Sequence, residues 1–264
     1  MFVHLLKYLA KAILNPQGYD ISIIRSYNVP DPESYTDSFN PSSWIFSPWL
    51  GYGNFKQVLD RAAGHTECSA DRIWILSQAA KQCLHVDGDF FECGVYRGGT
   101  ARVLADLVAS ALGKKLRLFD TFAGMPETDQ KKDTHRKGDF STTSLEAVRQ
   151  YVDNDAIVAY HPGLIPQTFI GLENAKIAFA HIDVDIYSSV TACCEFIFPR
   201  LSQGGILVFD DYGFKTCAGA RKAVDNYFQQ TGIIPIVLPT GQAIVFKSFE
   251  GSDKPQSSLA ARNA

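Results

Sequence analysis

The stretch that decides the fold is residues 177–185, IAFAHIDVD, an apolar run that ends in two aspartates. Apolar residues without polar alternation predict a strand that is buried on both faces of its sheet. Similar runs, most of them followed by a helical segment, are DFFECGV at 89–95, LRLFD at 116–120, AIVAYH at 156–161 and GILVFDD at 205–211. Strands that alternate with helices predict a mainly parallel sheet covered by helices.

Two further strands follow near the end of the chain, IIPIVL at 233–238 and QAIVFKS at 242–248. The three residues between them are too few for a helical crossover, so the two strands are predicted to form an antiparallel hairpin. The sequence therefore predicts an α/β fold with a doubly wound, seven-stranded, mostly parallel sheet and a C-terminal antiparallel hairpin. This Rossmann-like arrangement is typical of class I methyltransferases rather than of dehydrogenases with six parallel strands.

Composition and charge exclude several classes of protein. The chain has 264 residues, of which 46% are hydrophobic, and its formal net charge is −3. A net-negative chain without a dense Lys/Arg block is a poor match for nucleic acid. No apolar run approaches the ~20 residues that cross a bilayer. Six cysteines are too few for a disulfide scaffold. We expect a cytoplasmic protein without a membrane span and without a nucleic-acid partner.

The pattern divides the chain into three segments: residues 1–65 form an N-terminal helix and an aromatic arm or lid, 66–248 the α/β domain, and 249–264 a flexible polar tail. The first segment carries apolar residues at helical spacing, with lysines on the other face: Phe2, Leu5, Leu6, Leu9 and Ile13. This helix is predicted to dock on the domain or on a second subunit, so we expect a homo-oligomer formed through the N-terminal segment. A basic amphipathic helix lying on a membrane is the alternative.

A glycine-rich turn follows the first strand, at residues 92–100, ECGVYRGGT. Its glycines let the backbone turn sharply and approach a ligand, but their spacing differs from that of a dinucleotide-binding loop. Glu92 places an anion at the turn, which suits an amino group better than a pyrophosphate. Asp120 ends the next strand, where an acid can accept both hydroxyls of a ribose; a loop-capping role is the alternative. Together these features favour a ligand that contains adenosine.

Acidic residues end two neighbouring strands of the predicted sheet. His181, Asp183 and Asp185 alternate along one strand and so point to the same side of it. Asp210 and Asp211 end the next strand, about 4.8 Å away, so acids of the two strands can meet at the rim that carries the glycine turn. Carboxylates this close need a cation or raised pKa values, and oxygen ligands suit Mg²⁺ or Ca²⁺. Helix capping or pairing with Arg200 and Lys215 is the alternative.

Four ordered motifs, FFECGVYRGGTA, LFDTFAGMP, HIDVDIYSSV and GGILVFDDYGFKTCAGARKAVDNYF, resemble the macrocin O-methyltransferase family over about residues 71–246. A fainter similarity extends to catechol-type O-methyltransferases. The resemblance implies an enzyme that uses S-adenosylmethionine and Mg²⁺ to methylate sugar hydroxyls, in which residues 66–248 bind S-adenosylmethionine. Val184 stands where many relatives have glycine, and the charged segment 123–141 predicts a lid of different specificity.

The resemblance also implies roles for individual residues. Asp120 would hold the ribose, Gly163 and Leu164 would border the adenine, and the turn would follow the methionine part. The full cofactor-binding set would be Glu92, Gly94, Tyr96, Gly98, Thr100, Asp120, Thr121, Gly163, Leu164 and Asp183. The metal ligands would be Asp183, Asp210 and Asp211.

The predicted reaction is methylation of a hydroxyl on a sugar or other vicinal diol, in natural-product or saccharide tailoring, with a hydroxyl-bearing small molecule as the partner. Chelation of vicinal oxygens by the metal would lower the hydroxyl pKa, and a base would remove the proton. Asp183 and His181 are the candidate catalytic residues, with His135 and His161 as alternatives. Two other functions stay open: a catalytically silent S-adenosylmethionine-binding protein, or another Rossmann-type enzyme such as a nucleotide-sugar enzyme or dehydrogenase.

Overall fold

The computed structural model describes residues 39–40 and 45–248. A two-residue ladder pairs β1 (Phe39–Asn40) with β2 (Ile45–Phe46). The main sheet consists of β3 (Asp89–Cys93), β4 (Leu116–Asp120), β5 (Val158–Pro162), β6 (Ile177–Ile182), β7 (Leu201–Phe209), β8 (Ile236–Val237) and β9 (Ala243–Phe246). These strands are the seven that the sequence predicts.

The order of the strands confirms the predicted sheet. Across the sheet they lie in the order β5-β4-β3-β6-β7-β9-β8. The five strands from β3 to β7 are parallel, whereas β9 is antiparallel to both β7 and β8. The chain starts at the centre with β3, runs outward to β5, and then crosses back to β6 on the other side of β3. This reversal makes the carboxyl ends of β3 and β6 the point where a doubly wound sheet binds its ligand.

Helices follow β3, β4 and β6, as predicted, whereas only the 3-10 turn Gln167–Phe169 lies between β5 and β6. The helices are α1 (Phe55–Ala62), α2 (Ala70–Gln82), α3 (Gly99–Val108), α4 (Leu145–Val152), α5 (Tyr187–Arg200) and α6 (Ala218–Gln229). The sequence determines where α4 begins, because the Ser144 side chain accepts a hydrogen bond from the Ala147 N–H and caps the helix.

Apolar clusters cover both faces of the sheet. One cluster packs α5 and α6 on the sheet through residues such as Ile197 and Phe228, and the other packs α2, α3 and α4 through residues such as Leu76 and Leu104. All six residues of β6 are buried. The polar His181 in this strand therefore cannot reach solvent, and its partners must lie inside the protein.

Backbone hydrogen bonds extend past the last residues of the parallel strands. The Gly94 N–H donates to Phe119 O at 2.9 Å, and the Asp183 N–H donates to Cys93 O at 2.8 Å. The Asp210 N–H donates in the same way to Ile182 O at 3.0 Å. The glycine turn and the acids that follow β6 and β7 are thus fixed in register with one another.

The chain divides into two compact units, Met1–Gln57 and Val58–Ala264. In the described part of the first unit, the Phe46 and Tyr52 rings meet edge to face at 5.5 Å. The predicted N-terminal helix and the tail lie outside the described residues, and the predicted boundaries at residues 65 and 248 stay predictions. Within residues 39–40 and 45–248, the longest apolar helices fall short of what a membrane span requires.

Candidate active site

A cleft of about 280 Å³ opens at the carboxyl edge of the parallel strands, in the second unit. Its wall includes nine of the predicted site residues: Gly94, Tyr96, Thr100, Asp120, Thr121, Gly163, Leu164, Asp183 and Asp211. Four predicted residues do not line it: Glu92, Gly98, His181 and Asp210. The strand-end motifs therefore meet in one place, but at different depths.

The glycine turn crosses the end of β6 at very close range. Gly94 has a φ of +87°, and a Cβ on it would lie 1.8 Å from the backbone oxygen of Asp183. Only glycine permits both this conformation and this approach. Gly98 plays another part, because a Cβ there would contact Val148 and Val152 of α4. Gly98 thus serves helix packing rather than the cleft wall.

Asp120 joins the turn after β4 to the glycine turn after β3. Its Oδ2 accepts hydrogen bonds from the N–H groups of Val95 at 2.6 Å and Tyr96 at 3.0 Å. Its Oδ1 accepts one from the Phe122 N–H at 2.7 Å. The loop-capping alternative is therefore realised, and the side chain also lines the cleft. A ribose-binding role stays a prediction.

His181 and Glu92 form a buried pair beneath the cleft. They are register partners on β3 and β6, and His181 Nδ1 lies 3.0 Å from Glu92 Oε1. His181 Nε2 lies 3.5 Å from Asp210 Oδ1. Burial alone would lower the pKa of His181, but the carboxylates of Asp210 and Glu92 raise it to about 10.

This environment does not support His181 as a general base. The side chain has no exposed surface, does not line the cleft, and lies between two acids. Glu92 likewise faces His181 rather than the cleft, so the structure does not place it where the methionine part was expected. His161, an alternative base, stacks on Phe119 with ring centroids 4.6 Å apart and does not line the cleft.

The acids after β6 and β7 are close together: Asp210 and Asp211 are buried, whereas Asp183 and Asp185 are half-buried on the cleft wall. Burial raises the pKa of the Asp183 carboxyl well above its ordinary value, and Asp210 and Asp211 raise it further. Burial and Asp183 raise the pKa of Asp185 to about 7. Burial would also raise the pKa of Asp210, but the His181 hydrogen bond lowers it. Such crowding of carboxylates is the environment in which a bound cation is most favourable.

Cys68, just before α2, and Arg72, in its first turn, reach these acids, and no sequence motif pointed to either of them. Arg72 donates from Nη1 to Asp210 Oδ2, and its Nη2 donates to Glu67 O at 2.6 Å. Cys68 Sγ lies 3.6 Å from Asp183 Oδ2 and 3.6 Å from Asp210 Oδ2. Ligand atoms of Cys68, His181, Asp183 and Asp210 all fall within 4.8 Å of one another. No local pattern marks these residues, because their role depends on how α2 packs.

The segment between β4 and α4 is anchored by a buried acid, Asp133, which no sequence motif marks. Asp133 Oδ1 accepts the Tyr187 N–H at the start of α5 at 2.8 Å. A Cβ on Gly219 of α6 would lie 2.1 Å from the same oxygen, so this close fit requires glycine. Asp133 thereby fixes the segment and places His135 on the cleft wall.

Asp185 stands on the same wall in a strained conformation. Its φ is +60°, which is uncommon for a residue other than glycine. Its N–H donates to Asp211 Oδ2 at 2.9 Å, which holds this conformation. Asp211 therefore positions Asp185, in addition to raising the pKa of Asp183.

Comparison with known proteins agrees with the predicted family. The model of the macrocin O-methyltransferase family matches residues 57–247. A tetracenomycin-C rhamnosyl 4'-O-methyltransferase of Streptomyces olivaceus is 33% identical over 162 residues, which cover 56% of this chain and 60% of that protein. Demethyldecarbamoylnovobiocin O-methyltransferase of Streptomyces niveus is 27% identical, over 63% of this chain and 68% of that protein. The matches thus span about three fifths to two thirds of these relatives.

Solved structures share the fold at low sequence identity. The O-methyltransferase NovP aligns with a TM-score of 0.64 at 22% identity, covering 74% of this chain and 88% of that one. The calicheamicin methyltransferase CalS11 aligns with a TM-score of 0.62 at 18% identity, covering 86% and 98%. These likenesses confirm the predicted fold class. Because the family model covers well over half of the sequence, the chain belongs to the macrocin O-methyltransferase family.

Proposed function

We propose that the protein is an S-adenosylmethionine- and Mg²⁺-dependent O-methyltransferase that methylates a hydroxyl of a sugar or other vicinal diol. The observation that carries this proposal is the crowding of acids after β6 and β7, at the cleft that the glycine turn and Asp120 also line. The names of the relatives support a glycosylated acceptor, since one acts on a rhamnosyl group and another on a novobiocin precursor.

The residues on one side of the cleft fit S-adenosylmethionine. Glycine turns bring backbone close to the cleft, Asp120 supplies an acceptor for hydroxyls, and Leu164 and Ile165 supply apolar surface for a purine. We call this side the donor end. When bound there, S-adenosylmethionine supplies an electrophilic methyl group on a sulfonium.

The acids fit a hard divalent cation. Asp183, Asp210 and Asp211 offer carboxylate oxygens, the ligands that Mg²⁺ prefers. The three carboxylates repel one another, and Arg72 and His181 supply positive charge to Asp210 in this structure. When held there, Mg²⁺ would lower the pKa of a hydroxyl that it coordinates.

The side of the cleft that contains Asp185 and His135 would receive the acceptor, and we call it the acceptor end. Asp185 is the group best placed to accept the hydroxyl proton. It lines the cleft beside the proposed metal ligands, and a carboxylate at that place can accept a proton from a bound hydroxyl. Asp211 holds the Asp185 backbone, so the base is oriented before the acceptor arrives.

We further propose that residues 1–65 select the acceptor and form the contact of a homo-oligomer. The family model begins at residue 57, so most of this segment lies outside the match. A difference in acceptor between family members is expected to reside in such a segment, whereas residues 66–248 would bind the cofactor.

The proposed activity has a direct test. The full-length protein, S-adenosylmethionine and Mg²⁺ are incubated with a panel of deoxysugar glycosides and other vicinal diols, and methylated products are detected by mass spectrometry. We expect transfer to at least one diol, loss of transfer in EDTA, and recovery when Mg²⁺ is added. Unchanged turnover in EDTA would exclude the metal. Calorimetry that shows binding of NAD but not of S-adenosylhomocysteine would instead indicate another Rossmann-type enzyme.

A second prediction concerns Arg72, whose guanidinium neutralises Asp210 inside the acid set. Replacing Arg72 with glutamine is expected to tighten Mg²⁺ or Mn²⁺ binding by roughly tenfold, about 1.4 kcal/mol, because Asp210 then has one positively charged partner fewer and attracts the cation more strongly. Isothermal titration measures the change. Arg149→Gln is the matched control, since Arg149 pairs with the exposed Asp155. Equal affinities in Arg72→Gln and the wild type would show that Arg72 does not compete with the cation.

A further inference from the structure

A second group of metal-binding side chains faces the cleft, at the acceptor end. It consists of His135, Asp185 and Cys217, whose ligand atoms lie within 4.8 Å of one another. All three residues line the cleft. We propose that this group binds a thiophilic divalent cation, Zn²⁺ in particular, and that the bound cation blocks methyl transfer.

The distances between the three ligand atoms fit a tetrahedral ion. Cys217 Sγ lies 3.4 Å from Asp185 Oδ1 and 3.7 Å from His135 Nε2. His135 Nε2 lies 3.6 Å from Asp185 Oδ1. Zinc bonds of about 2.3 Å to sulfur and ~2.0 Å to nitrogen or oxygen place tetrahedral ligand atoms roughly 3.3–3.5 Å apart. Small side-chain adjustments would therefore bring all three atoms to bonding distance of one ion.

The second nitrogen of His135 provides an independent observation. Its Nδ1 lies 3.3 Å from Asp139 Oδ2, which also accepts the Arg136 N–H at 2.9 Å. Metal-binding histidines characteristically donate their other ring N–H to a carboxylate, which fixes the ring and its tautomer. Asp139 thus fixes the ring so that Nε2 faces Asp185 and Cys217.

Each ligand stands on backbone that other contacts hold in place. The segment with His135 is anchored by Asp133, and Asp185 is held by its N–H bond to Asp211. Cys217 ends the short 3-10 turn Lys215–Cys217 directly before α6. A site built from three separately fixed segments binds a cation without ordering a flexible loop.

The chemistry of this group separates it from the acids of the proposed Mg²⁺ site. One thiol, one imidazole and one carboxylate are a set that suits Zn²⁺, whereas Mg²⁺ prefers oxygen ligands alone. Binding releases the thiol proton to solvent and leaves a fourth position for water. The ion and its bound water would also fill the acceptor end of the cleft, where the proposed reaction places the hydroxyl. Zn²⁺ is therefore expected to inhibit rather than assist.

Titration of the full-length protein with Co²⁺, in reductant and excess Mg²⁺, tests the site without an activity measurement. Tetrahedral Co²⁺ bound by a thiolate gives intense visible bands and a sulfur-to-cobalt charge-transfer band. We expect both bands in the wild type and their loss when Zn²⁺ is added. Cys217→Ser should lose the charge-transfer band, whereas Cys68→Ser, which changes the other cysteine on the cleft wall, should keep it.

Two further variants keep the test decisive if Cys217→Ser does not fold. His135→Asn is expected to weaken Co²⁺ binding at least tenfold, and Asp139→Ala, which removes the half-exposed carboxylate behind the ring, by about 10–100-fold. Absence of the charge-transfer band from the wild type overturns the proposal. So does a band that survives in Cys217→Ser or disappears in Cys68→Ser, and so does wild-type affinity in both His135→Asn and Asp139→Ala.

Discussion

Replacing Asp210 with asparagine is expected to lower the rate of methyl transfer by about 1,000-fold, roughly 4 kcal/mol of transition-state stabilisation. Asp210 is fully buried and lies within reach of Arg72, His181 and Gln242, whose Nε2 donates to Oδ1 at 2.8 Å. Asparagine has the same shape but removes the charge that a cation would bind. S-adenosylhomocysteine should bind within about twofold of the wild-type affinity, because Asp210 does not line the cleft.

The measurements are the rate of product formation at saturating S-adenosylmethionine and the calorimetric affinity for Mg²⁺. Asp155→Asn is the control, since Asp155 is an exposed acid that also pairs with an arginine. A thermal melt identifies loss of folding, because removing one partner of a buried ion pair costs about 3–5 kcal/mol. A folded Asp210→Asn protein that methylates at the wild-type rate would remove Asp210 from the proposed site.

The sheet could be predicted because each of its strands carries a local signal. The run from Ile177 to Ile182 is buried along its whole length, and continuous apolar residues are what such a strand requires. The hairpin of β8 and β9 could be predicted because the connection between the two strands is too short for a helical crossover. The strand ends then located the cleft, since the carboxyl ends of parallel strands share one edge.

The depth of each side chain at that edge could not be predicted from alternation alone. The two-residue alternation of a strand predicted that His181 and Asp183 lie on the same side. It did not predict whether either side chain reaches the cleft. The register of β3 against β6 sets Glu92 beside His181 and turns both into a buried pair. This register depends on how two distant segments align, and a slip of one residue would reverse every side chain.

Site residues that helices and long loops contribute were harder to predict than those at the strand ends. Arg72 reaches Asp210 only because α2 packs beside β7, and α2 carries the apolar pattern of an ordinary surface helix. The charged segment 123–141 was predicted as a lid, yet the structure ties it to α5 and α6 through Asp133. Its acids and lysines give no hint of this, because Asp133 is distinguished only by its tertiary partners.

Replacing Gly94 with alanine is expected to cost more than about 4 kcal/mol of unfolding free energy, a magnitude reached only where a substitution breaks packed structure. The added Cβ would lie 1.8 Å from Asp183 O, which belongs to backbone and cannot swing away. Relief would require β3 and β6 to separate at their carboxyl ends, where the Asp183 N–H bond to Cys93 O closes the edge. Cofactor affinity and folding should therefore fail together.

Gly113→Ala separates the clash from the backbone conformation. Gly113 has a similar φ of +77°, but nothing lies within 4 Å of the Cβ that alanine would add. This control should lose only about 1–2 kcal/mol, the cost of a left-handed conformation for an ordinary residue. Urea unfolding of the two variants measures the difference directly. Equal losses would mean that β3 and β6 do not approach as closely as described, and the placement of Asp183 beside the glycine turn would then be wrong as well.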